Sequence, residues 1–238
     1  MSGQLRNQFD RLYQEELARR DAQIKALQAH INPHFLNNTL EIINWEARLA
    51  DNQRVCSMIE ALSTMLGAAT AREGLSTATL AEELKYVDAY LYITQERLGD
   101  RLTVTREIDR RVLDWRVMLL MLQPIVENAV EHDLSRAGGE LCLRAYPRPG
   151  EGGTRLCVEV EHDGAIPAGD WENIRRSLEA QGREEGGSVG LRNVNQRLRL
   201  LYGGEYRFDM TELRPGRILA RLELPGGVPV SQGEEDAP

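Results

Sequence analysis

The apolar residues of this 238-residue chain change their period once, and that change limits what the chain can fold into. From Leu5 to about Thr70 they recur at helical spacing, as Leu5, Phe9 and Leu12, then Ile24, Leu27 and Ile31, then Leu40, Ile43 and Ala47. From Arg101 onward they alternate instead. Leu102 and Val104, Leu141 and Leu143, and Leu156, Val158 and Val160 follow the period-two pattern of half-buried strands. Helical stretches are expected between these strands at 118–132, 171–180 and 191–202, and 206–210 with 217–224 reads as strand, turn, strand around Arg214-Pro215-Gly216. The predicted class is α+β: a helical part followed by helices over one face of a mixed sheet.

The first stretch of the helical part carries Asp10, Arg11, Glu15, Glu16, Arg19, Arg20 and Asp21, which leave only the narrow apolar stripe of a coiled-coil seam. Pro33 lacks an N–H and interrupts the helical ladder, so a kink or short break is expected there. Ala50-Asp51-Asn52 offers a turn, and a second helix from Gln53 sets Val55, Met58, Ile59, Leu62, Met65 and Leu66 on one face. Two such hairpins make a four-helix bundle if the chain forms a homodimer. Gly74 closes this part, and Thr79-Leu80-Ala81-Glu82 is a capping box that opens a further helix to about Leu98. The expected organisation is a signalling helix over 1–24, a dimerisation hairpin over 25–74, an α+β domain over 75–225 and a polar, disordered tail over 226–238.

Charge narrows the partners. With 37 acidic and 29 basic side chains the net charge is -8, which gives no global field for nucleic acid or an anionic membrane. Any phosphate site must be local, built of backbone N–H groups, a metal ion and a few placed cations. Cys56, Cys142 and Cys157 show no close ligand spacing, and their odd number argues for a reducing compartment rather than a disulfide framework. No apolar run approaches the roughly 20 residues that span a bilayer, so the sequence as given is expected to be soluble.

Four segments could carry chemistry. Glu127 and Asn128 interrupt the apolar helix Gln123-Pro124-Ile125-Val126-Glu127-Asn128-Ala129, where polar side chains must find partners or face a cleft; a plain solvated face is the alternative. An Asn oxygen is a hard ligand suited to Mg²⁺. Asp163-Gly164 ends an alternating strand, where a carboxylate could accept from an adenine amino group, or the pair could form an ordinary turn. Gly186-Gly187-Ser188-Val189-Gly190 leads into an amphipathic helix, whose N-terminus favours phosphate, though glycine-rich surface loops without ligands are common. His34, crowded by Asn32, Asn37 and Asn38, presents an imidazole that is largely neutral and nucleophilic near pH 7 or is simply structural.

Taken together, Leu27-Gln28-Ala29-His30-Ile31-Asn32-Pro33-His34-Phe35-Leu36 with Asn38-Thr39-Leu40, the stretch from Leu80 to Arg101, Gln123 to Ala129 with His132, and Gly190-Leu191-Arg192-Asn193-Val194 resemble the histidine kinase family of the LytS/YesM type, in the family's order. The resemblance implies that His34 is a phosphoacceptor on a dimerisation hairpin and that the α+β domain is a Bergerat-type ATP-binding fold. Asn128 would then hold Mg²⁺, and His132, Asp163, Gly164, Gly186, Gly187, Gly190, Leu191 and Asn193 would line the nucleotide. Asn38 would orient the imidazole with help from Glu127, and the phosphoryl group would pass to an aspartate of a response regulator. Such kinases usually carry membrane-spanning sensor segments upstream, which implies a cytoplasmic location for this portion and membrane contact only through those segments. Three positions depart from the family's pattern. Asn37 stands where an aromatic residue is usual, His162-Asp163-Gly164-Ala165-Ile166 shifts the adenine Asp and lacks a second glycine, and Ser188 replaces a lid glycine. The alternative they raise is a dimeric signalling module impaired in ATP binding.

Overall fold

The computed structural model describes residues 33–70, 77–150, 153–179 and 189–226. The expected helix over 1–24, the tail beyond Gly226 and the glycines Gly186 and Gly187 lie outside the described residues. Contacts divide the chain into two compact units, one ending at Cys56 and the other beginning at Ser57; the hairpin boundary expected near 74–79 falls at the edge of residues that are not described.

Helix α1 (Pro33–Leu49) is the first described element. Asp51 takes a positive φ of 52° in the turn after α1, and the Asn52 side chain accepts from the Val55 N–H at 3.2 Å as α2 (Gln53–Thr70) begins.

In the second unit, β1 (Thr77–Thr79) leads directly into α3 (Leu80–Leu98). The capping box forms as expected: the Glu82 N–H donates to Thr79 Oγ1 at 3.2 Å, and the Thr79 N–H donates to Glu82 Oε2 at 2.8 Å. The strands β2 (Leu102–Ile108), β4 (Gly139–Gly150), β5 (Gly153–Asp163), β7 (Arg217–Pro225) and β6 (Arg207–Arg214) form one sheet in the order β2-β4-β5-β7-β6. β2 and β4 are parallel and the other pairs are antiparallel, so the sheet is mixed as predicted. A second sheet, which apolar alternation cannot register in three residues, pairs β1 with β3 (Arg116–Met118).

One face of the large sheet is apolar. Leu141, Leu143, Leu156, Val158, Val160, Ala220 and Leu222 point into a core with Val87 and Leu91 of α3. The same core takes Val126 of α4 (Gln123–Ala129) and Val194 and Leu198 of α6 (Val189–Tyr202). α5 (Ala168–Glu179) packs against α6 and β6. The opposite face is a charge ladder in which Glu161 accepts from Arg144 at 2.6 Å and from Arg217 at 2.7 Å, while Glu159 accepts from Arg221 at 2.8 Å. Among the described residues no helix is long and apolar enough to cross a membrane.

Candidate nucleotide site

The single helix expected over 118–132 is in fact three pieces, and the breaks aim its polar residues. Residues Val117 to Leu122 are all buried, so no polar gap marks the end of β3. Leu120 adopts φ 58°, a left-handed conformation unusual for a branched residue, and must be held there. Glu83 of α3, fully buried, does so: its carboxylate accepts from the Leu120 N–H at 2.6 Å and the Leu122 N–H at 2.8 Å. Burial pushes the Glu83 carboxyl up against the opposing pull of those amides. From α6, Arg197 donates to Leu119 O at 2.6 Å, and the Tyr202 hydroxyl accepts from the Met118 N–H at 3.1 Å. The segment that launches α4 is thus braced by α3 and α6.

Helix α4 has no side-chain cap of its own. On it, Gln123 Nε2 donates to Glu127 Oε1 at 2.6 Å, leaving the buried Gln123 Oε1 without a hydrogen-bond partner. Glu127 and Asn128 are both half-buried on the rim of this helix. The Glu127 carboxylate and the Asn128 amide oxygen are hard donors of the kind that suits Mg²⁺ carrying most of its ligands as water and phosphate. Among the described residues no three His, Cys, Asp or Glu side chains converge into an all-protein metal cluster.

After Ala129 the chain widens into a π-helical turn, Val130–Leu134. The extra residue per turn rotates the next stretch of chain, a device often found at functional sites. His132, expected in the nucleotide site, is exposed, and Asp133 is half-buried. The Asp133 carboxylate lies against Gly164 at the end of β5, where a Cβ would fall 2.4 to 2.8 Å from its carboxyl atoms. It accepts from the Ala165 N–H at a long 3.4 Å, and its Oδ2 is 3.7 Å from His162 Nδ1.

Asp163, expected near the adenine, lies on the charged side of β5. Along β5, Val158, Val160 and His162 share the core side and Glu159, Glu161 and Asp163 the charged side, as strand alternation requires. Both oxygens of Asp163 are occupied there. Oδ1 accepts from Arg217 Nη1 at 2.7 Å, and Oδ2 accepts from the Glu140 N–H at 2.8 Å beside Gly139, where a Cβ would fall 2.8 Å from Oδ2. Partial burial raises the Asp163 carboxyl, but the Glu140 amide and the Arg217 guanidinium outweigh it and hold the group below the usual carboxylate range. The residue that turns inward is His162, 2% exposed, with Nδ1 3.0 Å from Asp163 O. Burial lowers its pKa against the attraction of Asp163 O and Asp133, so the ring is neutral. The period of Val158 and Val160 carried that signal in the sequence; the placement of Asp133 against Gly164 had none, since it depends on the π turn.

The remaining expected residues fall in three places. Gly190 lies in the first turn of α6, half-buried, Leu191 is buried and Asn193 is exposed. His34 is the second residue of α1, and Asn38 is exposed one turn later. On α1 the buried Oδ1 atoms of Asn37 and Asn44, one heptad apart, have no hydrogen-bond partner.

Residues 22–102 match the family model described as histidine kinase. The chain is 33% identical over 193 residues to the sensor histidine kinase YesM of Bacillus subtilis (strain 168), covering 81% of this chain and 31% of that protein. It is 33% identical over 200 residues to the sensor histidine kinase YpdA of Escherichia coli (strain K12), covering 84% and 34%. To the sensor protein LytS of Staphylococcus saprophyticus it is 31% identical over 189 residues, covering 78% and 31%. The similarity to LytS/YesM sensor histidine kinases therefore runs along most of the chain, which spans about a third of the length of these relatives.

Proposed function

We propose that the chain is the kinase portion of a two-component sensor histidine kinase that binds Mg–ATP on its α+β unit, phosphorylates His34 and passes the phosphoryl group to an aspartate of a response regulator. The observation that carries this reading is the polar rim of α4, where Gln123, Glu127 and Asn128 offer oxygen donors, one of them an orphaned buried acceptor, on an otherwise apolar core helix. The similarity to sensor kinases over 81% of the chain supports it.

Asn128, with Glu127 beside it, would hold Mg²⁺, and the bound ion would neutralise charge on the phosphate oxygens. The first turn of α6, entered through Gly190, offers free backbone N–H groups and the positive end of the helix dipole to phosphate. The lone pair of a neutral His34 ring nitrogen forms the bond to the γ-phosphorus as the bond from phosphorus to the β,γ-bridging oxygen breaks, and ADP leaves with that electron pair. The proton on the other ring nitrogen passes to a carboxylate, for which Glu127 serves, while Asn38 orients the ring. Catalysis of this kind is mainly positioning and charge neutralisation.

A homodimer accounts for α1, whose Phe35, Ile42, Trp45 and Leu49 are 66%, 65%, 68% and 75% exposed. Upstream segments of the full-length protein would anchor it, with this portion in the cytoplasm. Incubation with γ-labelled Mg–ATP tests the reading: acid-labile, base-stable label is expected on the parent chain and none on His34→Ala. Label of the same stability on His34→Ala excludes His34 as the acceptor.

A further inference from the structure

We infer that Glu83 is a positioning residue for the magnesium–nucleotide step: its buried carboxylate reaches across from α3, caps the start of α4 and so sets where Asn128 presents its amide oxygen. The inference rests on the nucleotide-binding reading above and deepens it.

Helix α4 cannot hold its own register. It has seven residues, well below the roughly 12–15 at which an isolated helix becomes even marginally stable in water. Its capping position is Leu122, an apolar side chain with no acceptor for the first free N–H groups of the helix. At its other end the ladder changes to the π turn. Glu83 supplies what Leu122 lacks. Its Oε2 accepts from the Leu120 N–H at 2.6 Å and its Oε1 from the Leu122 N–H at 2.8 Å, and the Met121 and Gln123 amides also draw on the charged carboxylate. Four successive backbone N–H groups thus turn toward one side chain from another helix, and its negative charge suits the positive end of the α4 dipole.

The opposite side of the same segment is fixed by α6, where Arg197 donates to Leu119 O at 2.6 Å and to Leu120 O at 3.5 Å. Leu122 O in turn accepts the first bonds of α4, from the Ile125 and Val126 N–H groups at 3.0 Å each. Leu122 therefore joins the Glu83 carboxylate directly to the helical ladder that carries Glu127 and Asn128. Asn128 stands about 9 Å along the axis from Leu122, so a tilt of about 10° at the start of α4 displaces it by about 1.5 Å. Mg²⁺ bonds at about 2.0–2.1 Å in near-ideal octahedral geometry and does not absorb such a shift.

A carboxylate suits this place because it is acceptor-only and has two oxygens for two N–H groups. A glutamine of the same length turns its NH₂ against one of them, which loosens the start of the helix without removing bulk from the core.

Calorimetric titration of the whole chain with ATP, once with Mg²⁺ and once with EDTA, tests the assignment. The parent is expected to bind ATP at least about tenfold more tightly with Mg²⁺, and Glu83→Gln is expected to lower that ratio by about tenfold, as loss of a group that orients a metal ligand does. Its affinity without Mg²⁺ should stay within about threefold of the parent's. Leu91→Ala, which weakens the same unit from a core position further along α3, should keep the ratio. Should Glu83→Gln fail to give the parent's circular dichroism, Glu83→Asp, whose carboxylate is withdrawn by one methylene, is titrated instead and is expected to lower the ratio by at least about threefold. A folded Glu83→Gln chain, or the substitute Glu83→Asp chain, that keeps the parent's ratio overturns the inference, as does an equal loss in Leu91→Ala, which would assign Glu83 to stability alone. A folded parent that does not bind ATP, or binds it equally with and without Mg²⁺, overturns the Mg–ATP reading and this inference with it.

Discussion

Helices α1 and α3 are both amphipathic and of similar length, 17 and 19 residues, yet they meet opposite fates. α3 buries Leu80, Leu84, Val87 and Leu91 against its own sheet and starts on a complete capping box. α1 buries Ala47 and leaves Phe35, Ile42, Trp45 and Leu49 largely in solvent. Amphipathicity therefore states only that a helix needs a partner; whether the partner lies in the same chain depends on the rest of the sequence. The first way to break the comparison is to remove what α3 has. Leu91 is fully buried in the core, so Leu91→Ala is expected to cost about 2–5 kcal/mol in unfolding free energy, read from urea titration. A cost near zero would show that the apolar contacts of α3 with the sheet do not hold it.

The converse experiment supplies a charge where α1 is proposed to need an apolar partner. Trp45 is 68% exposed in the single chain. If a second copy covers it, Trp45→Glu should weaken self-association by about 2 kcal/mol or more in sedimentation equilibrium, as loss of an interface aromatic anchor does. Asn37 and Asn44, whose buried amide oxygens are unpaired, share the heptad spacing that fixes register in paired helices. A Trp45→Glu chain that associates as strongly as the parent would leave the α1 stripe without a role in dimerisation.

How much of this was legible in the sequence divides along the same line. The capping box, the five strands of the large sheet and the helices α3 and α6 could be read because each repeats a clear period or ends on a definite signal. The break between β3 and α4 could not, because residues 117–122 are apolar throughout and their conformation is set by a distant carboxylate, Glu83, and a distant guanidinium, Arg197. At the site, Glu127 and Asn128 stood out as polar residues on an apolar helix. The side of β5 that Asp163 takes was legible in the alternation of Val158, Val160 and His162, whereas the approach of Asp133 to Gly164 was not, because a π turn leaves no apolar period behind it.

Acid offers a smaller perturbation confined to the unit that contains α3. His162 is buried and its pKa lies below the ordinary value. The unfolded chain therefore takes up the proton first as pH falls through about 6.5, and stability is present above that point and lost below it, by up to about 1.4 kcal/mol per pH unit. Chemical unfolding at a series of pH values should show this loss in the parent and a flatter profile in His162→Gln. Parallel profiles would mean that the imidazole takes up its proton as readily in the folded chain as in the unfolded one.

The smallest effect is expected at the N-terminus of α3. There the Thr79 hydroxyl accepts from the Glu82 N–H and the Glu82 carboxylate returns to the Thr79 N–H, and this reciprocal pair holds the Glu82 carboxyl below its ordinary range through the Thr79 backbone and side-chain bonds. Replacing a Thr cap by Ala typically costs about 1 kcal/mol, so Thr79→Ala should lower the urea midpoint modestly without changing the slope. Thr79→Ser, which keeps the acceptor oxygen, should recover most of the loss. Equal losses in both variants would place the contribution of Thr79 in its strand pairing with Arg116 rather than in the cap, and α3 would then owe its stability to packing alone.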